Sequence, residues 1–218
     1  MPRHDFERWR FPLRKENNRT LFNLIAPVYG LFYNRQKRRY AEVVRNAAPA
    51  LDLTAYQSIL DVGCGTGALC SVLSASGLSV TGVDSAEKML AYARRQPENR
   101  EIQFLQANVT QRLPFDDKRF DVSIASYVAH GMPKEERIKL YAEMSRVTRT
   151  AVVIFDYNQK RAFLTSLVEW LERGDYFRFI KSAESEMKNC VSEMSDCFSS
   201  VVVVDVGERA SWYICTPA

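Results

Sequence analysis

The sequence predicts a doubly wound α/β fold with a seven-stranded sheet, mostly parallel and finished at one edge by an antiparallel C-terminal hairpin strand. Three observations predict it. Short apolar runs alternate with amphipathic segments from about residue 58 to residue 157, a glycine-rich turn joins the first run to a helix-forming stretch, and two apolar runs near the C-terminus are close enough to close a hairpin.

Leu21, Phe22, Leu24, Ile25 and Val28, then Leu31, Phe32, Tyr40, Val43 and Val44, recur at helical spacing, with Pro27 and Gly30 interrupting. They predict two short helices in an N-terminal segment over 1–50, ahead of one main domain over 51–218. In that domain SILDV, SVTGVD, IQFLQA, FDVSIASY and AVVIFDY read as strands, while ALCSVLSAS, AEKMLAYARRQ and KEERIKLYAEMSRVTR read as helices. Right-handed crossovers between such strands cover both faces of a parallel sheet. A helical insertion at about 161–197, broken at Gly174, precedes VVVVDV and SWYICT, which Gly207 to Ala210 join as a hairpin.

With 46% hydrophobic and 26% charged residues, the chain has the composition of a globular protein and not of a low-complexity one. No run reaches the roughly 18 apolar residues of a membrane span, and the charged N-terminus is unlike a signal peptide, which predicts a cytoplasmic location. Cys64, Cys70, Cys190, Cys197 and Cys215 form no CxxC pair, and with 2 His the chain predicts neither a disulfide framework nor a metal site. The first fifty residues hold 11 Lys+Arg against 4 Asp+Glu, the remainder 19 against 22. The densest basic patch, Arg35 to Arg39, reads either as a solvated helix face or as a contact for phosphates.

The chemistry is concentrated in Leu60-Asp61-Val62-Gly63-Cys64-Gly65-Thr66-Gly67-Ala68, a strand that turns through three glycines into a helix. Such a turn lets a ligand approach the backbone closely, and its spacing permits either a dinucleotide or another adenosine compound. Asp61 separates the two. A carboxylate two residues before the first glycine repels a pyrophosphate and attracts the sulfonium and α-ammonium of S-adenosylmethionine. Asp84, ending the next strand, is placed to accept from both ribose hydroxyls, and Asn108, after the third strand, to meet the adenine edge.

The segments DVGCGTG, VDSAEKML, ANVTQRLPFDDKRFDVSIAS and AVVIFDY together resemble the ordered motifs of class I S-adenosylmethionine-dependent methyltransferases, and most closely the small ubiquinone/menaquinone-biosynthesis-type group, over roughly residues 20 to 157. The resemblance implies that Gly63, Gly65 and Gly67 surround the methionine portion of S-adenosyl-L-methionine and that Asp84 holds the ribose. It places Ser85 and Met89 beside the adenosine, Asn108 and Val109 at the adenine, and Ser126 and Tyr127 near the methyl group. FNLIAPVYG resembles the family's lid, in which Tyr29 helps to close over the donor, so that 1–50 becomes a lid segment. Asn23, Gly30 and Asn108 stand where the group usually has Asp. Asn108 keeps an acceptor for the exocyclic amine and adds a donor.

Methyl transfer from a sulfonium is an in-line displacement that asks chiefly for alignment, exclusion of water and, for some acceptors, a base. His130, after the fourth strand, is the candidate base or substrate contact, with a capping or core histidine as the competing reading. Asp156 and Tyr157 are candidates for the acceptor pocket or solvated loop residues. Tyr33 and Tyr40 read as a lid extension or as core packing. Cys64 reads as a small side chain packed under the turn. The function predicted is methylation of a small-molecule acceptor. The alternatives are an RNA methyltransferase using the basic segment, an NAD-dependent oxidoreductase, and a catalytically silent adenosine-binding module. The residues Ser-Tyr-Val-Ala after the fourth strand, in place of an Asn/Asp-Pro-Pro-aromatic motif, argue against a flipped base.

Overall fold

A computed structural model describes residues 32–157, 191–207 and 210–218. Seven strands form one sheet in the order β3-β2-β1-β4-β5-β7-β6, with β1 (Ser58–Val62), β2 (Ser79–Asp84), β3 (Gln103–Gln106), β4 (Phe120–Ser126), β5 (Thr148–Tyr157), β6 (Phe198–Gly207) and β7 (Ala210–Pro217). Strands β1 to β5 pair in parallel, and β7 runs antiparallel between β5 and β6. Strand order reverses between β1 and β4, and that switch point, at the carboxyl ends of the two strands, is where ligands of such sheets bind. The helices are α1 (Tyr33–Ala47), α2 (Ala68–Ala75), α3 (Glu87–Arg95) and α4 (Lys134–Val147).

Alternation along each strand divides the core. Ile59, Ile124, Val153 and Phe155 pack with Leu69, Leu73 and Val43 on the face of α1 and α2. Leu60, Val62, Val152 and Ile154 pack with Leu140, Tyr141 and Met144 of α4 on the other. By that alternation Asp61 belongs to the α1 and α2 face, at a position a hydrophobic residue would ordinarily fill.

The predicted strands and helices of the described region are present within a few residues of their expected limits. One difference has a simple cause. Strand β5 starts at Thr148, three residues before AVVIFDY, because Thr148 hydrogen-bonds Ser123 at 2.7 Å inside the sheet. The first predicted N-terminal helix and most of 161–197 lie outside the described residues. Of the latter, the helical residues 191–197 are described. No helix among the described residues is long and apolar enough to cross a membrane.

Candidate active site

The site begins with the turn after β1. Gly63 N–H and Cys64 N–H both donate to Val83 O, at 2.8 and 3.0 Å, and Gly67 N–H donates to Cys64 O at 2.9 Å. Gly65 N–H donates to Asp84 Oδ2 at 2.8 Å. These backbone donors are therefore committed within the protein, and two carboxylates flank the turn, an environment hostile to a pyrophosphate. Gly63 has φ +73, and a Cβ there would stand 2.6 Å from Val128 Cγ2. Gly65, at φ +53, faces open space. The first glycine is needed for both backbone and packing, the second for backbone alone.

Asp61 is 1% exposed. Its Oδ2 accepts from the Cys70 thiol at 3.1 Å, while Oδ1 is buried and has no hydrogen-bond partner among the described residues. Burial, followed by the charge of Asp84, pushes its carboxyl up to about 7, against the Cys70 bond that lowers it. Ser126 Oγ is also buried without a partner among the described residues. The pairing of Asp61 with Ile124 puts Asp61 and Ser126 on one face of the sheet. Two unsatisfied polar atoms at the carboxyl ends of β1 and β4 fit the ammonium and carboxylate of an amino-acid tail. When bound, S-adenosylmethionine supplies an activated methyl group, and Asp61, Gly65, Asp84 and Ser126 are the residues that would hold it.

Asp84, already accepting from Gly65 and from Ala86 N–H at 2.8 Å, retains lone pairs for a ribose. Burial raises its pKa. Gln106 Nε2 donates to Ser85 O at 3.0 Å and joins the ends of β2 and β3. Met89 is buried with Ala86 in a small cluster apart from the two main cores. Val109 packs into the α4-side core. Asn108 is exposed, and its Oδ1 accepts from both Thr110 N–H and Thr110 Oγ1, at 3.0 and 2.9 Å. Its acceptor is thus engaged in a turn, and the amide donor is the group it has to offer.

After β4 the chain is sharply bent. Tyr127 adopts φ 56, rare for a residue with a side chain, and its N–H donates to Phe155 O at 2.8 Å. Its ring lies 4.8 Å from Phe155 and 5.3 Å from Tyr157, and its hydroxyl accepts from Arg39 at 3.4 Å. His130 Nδ1 lies 2.8 Å from Asp156 Oδ1, and the imidazole meets Tyr157 edge-on at 4.9 Å. Asp156 is fully buried and also accepts from the backbone N–H of His130 and Tyr157, at 3.1 and 2.9 Å. It is neither a solvated loop residue nor open to an acceptor. It stands behind the imidazole, because burial of an acid at a strand end demands such partners.

The two tyrosines of α1 separate. Tyr33 is buried against Tyr92, with Lys37 over its ring, on the α2 and α3 side of the molecule and away from His130. This is the packing role, and not the lid extension or substrate contact that the sequence also offered. Tyr40 meets Phe155 at 6.1 Å and has Asp61 and Tyr127 as electrostatic neighbours. Arg39, Gln36 and Cys70 were not among the predicted site residues. Gln36 bonds Thr66 Oγ1 at 3.0 Å, and its spacing of four from Tyr40 on one helix face was the available signal. In the basic patch, Lys37 pairs with Glu98 and Arg39 with Tyr127, while Arg35 and Arg38 are exposed. Tyr29 lies outside the described residues.

A sheet switch point, an acid-flanked glycine turn and a buried carboxylate with one oxygen unpaired among the described residues are the features of an S-adenosylmethionine-dependent methyltransferase of class I. Comparison agrees: residues 59–151 match the methyltransferase domain family. The chain is 33% identical to a demethylmenaquinone methyltransferase of Thermus thermophilus, covering 66% of this chain and 68% of that protein. It is 32% identical to one of Tropheryma whipplei, covering 55% of this chain and half of that relative's length. A Methanococcus maripaludis structure assigned as an S-adenosylmethionine-dependent methyltransferase superposes with a TM-score of 0.70 at 15% identity, covering 90% of this chain and 93% of the other. The chain belongs to the menaquinone/ubiquinone-biosynthesis type of this methyltransferase class.

Proposed function

We propose that this enzyme methylates a small, ring-bearing acceptor of the quinol type, with His130 as the base. The observation that carries the proposal is the His130–Asp156 contact of 2.8 Å beside the rings of Tyr127 and Tyr157. A proton on Nδ1 facing Asp156 leaves Nε2 of the neutral ring as an acceptor. As the acceptor atom bonds to the methyl carbon and the carbon–sulfur bond opens, the displaced proton goes to that nitrogen. Asp156 steadies the imidazolium that results, and the rings favour a flat apolar guest. The acceptor class is supported by the demethylmenaquinone methyltransferases among the relatives. We propose that the N-terminal segment 1–50 serves as a lid for this site; of its described part, Tyr40 packs against Phe155 and Arg39 donates to Tyr127.

The test is single-turnover methylation of a panel of demethylated quinols with labelled donor. His130→Ala is expected to slow the chemical step by about 10²–10⁴-fold while leaving S-adenosylhomocysteine affinity unchanged. Full turnover by that variant removes the base, and failure of every quinol in the wild-type reaction removes the acceptor class.

A further inference from the structure

We infer that Cys70 is a positioning residue for capture of the methyl donor: its thiol fixes one oxygen of Asp61, so that the other is held open for the donor's α-ammonium. The inference rests on the assignment of S-adenosylmethionine to this site.

The geometry is specific. Cys70 lies on α2, three residues beyond Gly67, and is fully buried. Its Sγ stands 3.1 Å from Asp61 Oδ2, whereas Asp61 Oδ1 is enclosed with no partner among the described residues. A carboxylate with both oxygens unbound would be free to rotate about its last bond. One held oxygen removes that freedom and fixes the direction of the second.

The titratable groups around Asp61 are Cys70 from α2, Cys64 from the turn, Tyr40 from α1 and Asp84 from the end of β2. All four are acids. Burial pushes the Cys64 thiol up to about 11 and raises the Cys70 thiol well above its ordinary range, so both stay protonated and Cys70 remains a donor. The thiol bond is also what opposes burial in setting the protonation of Asp61. An ammonium favours the ionised carboxylate, so donor capture releases a proton wherever Asp61 is protonated beforehand. Cys70 thereby sets the pH below which the donor is bound weakly.

Calorimetric titration of S-adenosylhomocysteine into wild type, Cys70→Ala, Cys70→Ser and Asp61→Asn, at pH 6, 7 and 8 and in two buffers of different ionisation heat, tests this. Circular dichroism confirms that each variant is folded. The ligand's own amine titrates identically in every case, so the comparison is between proteins. Wild-type affinity is expected to fall about tenfold from pH 8 to pH 6, with part of a proton released at pH 7. In Cys70→Ala that fall moves to higher pH and more proton is released at pH 7. Cys70→Ser, whose hydroxyl donates in the same place, restores the wild-type midpoint or lowers it. Asp61→Asn binds weakly and loses the dependence. If Cys70→Ala weakens binding equally at every pH, or not at all, with unchanged proton release, Cys70 is only packing and the inference falls. If wild type binds no S-adenosylhomocysteine at any pH, the donor assignment itself fails and takes the inference with it.

Discussion

Asp61 shows how much one residue can decide. On a strand whose other members bury hydrophobic side chains, it places a carboxyl at 1% exposure, where an unpaired charge is costly. Replacing it by Asn keeps the shape and removes the charge. We expect Asp61→Asn to weaken donor binding by about 10–100-fold, the worth of a charge-assisted hydrogen bond, as measured by calorimetry at pH 8. Unchanged or improved capture would overturn the electrostatic reading of the turn. Gly63 is constrained differently, by its φ of +73 and by Val128 at 2.6 Å. Gly63→Ala is expected to cost about 2–4 kcal/mol of stability in urea unfolding, from left-handed strain and overpacking together. Val128→Ala in the same chain should recover the packing part alone, and full recovery would show that the backbone is not strained there. The residues that bear the charge argument were legible in the sequence because strand, turn and helix are local. Cys70 was not, since nothing in its spacing reveals which face of α2 meets Asp61.

At the scale of elements, the connection after β4 is braced from both sides. Asp156 at the end of β5 holds His130, and Arg137 of α4 donates to Met132 O at 2.6 Å while pairing with Glu193 through two bonds of 2.8 and 3.0 Å. Arg137 and Glu193 are both 5% exposed. Helical residues 191–197 are thus tied to α4 and, through Met132, to the turn that carries His130. Glu193→Leu takes the carboxylate away from a buried guanidinium and is expected to cost about 3–5 kcal/mol by chemical denaturation. Arg137→Met with Glu193→Leu should restore most of it. A single variant as stable as wild type would show that the pair is not a clamp. The sequence read α4 and the end of the insertion as separate helices. It had no means of matching an arginine to a glutamate 56 positions away.

For the whole molecule, the raised carboxyls give stability a sign with pH. Asp61 titrates at about 7 when folded and near 3.8 when unfolded, so between those values the folded state binds the proton and the unfolded state does not. Stability from this group is complete below pH 4 and declines as pH rises through 7. The loss is on the order of 4 kcal/mol, and Asp84 adds to it in the same direction. Asp121 and Glu143, held below their usual range mainly by Ser58 and Arg146 against their own burial, act oppositely and lose their contribution only as pH falls below the ordinary carboxylate range. The ligand-free protein should therefore lose stability between pH 5 and pH 8, and Asp61→Asn should flatten most of that slope in urea titrations. An equal slope in both proteins would place the titrating group elsewhere.

The sequence by itself determined the chain order of strands and helices, the glycine turn after the first strand and the presence of an acid beside it, on which the proposed preference for a sulfonium over a phosphate rests. Each is written in the spacing of neighbouring residues, where alternation, helical period and glycine conformation act within one or two turns of chain. Only the tertiary structure decided that Tyr40 packs against Phe155 with Asp61 nearby while Tyr33 packs against Tyr92, that Asn108 gives its acceptor to Thr110, and that Asp156 supports His130 from within the core. Those choices depend on where separate elements meet and on which buried polar groups find partners across the sheet, and distance along the chain carries no record of either.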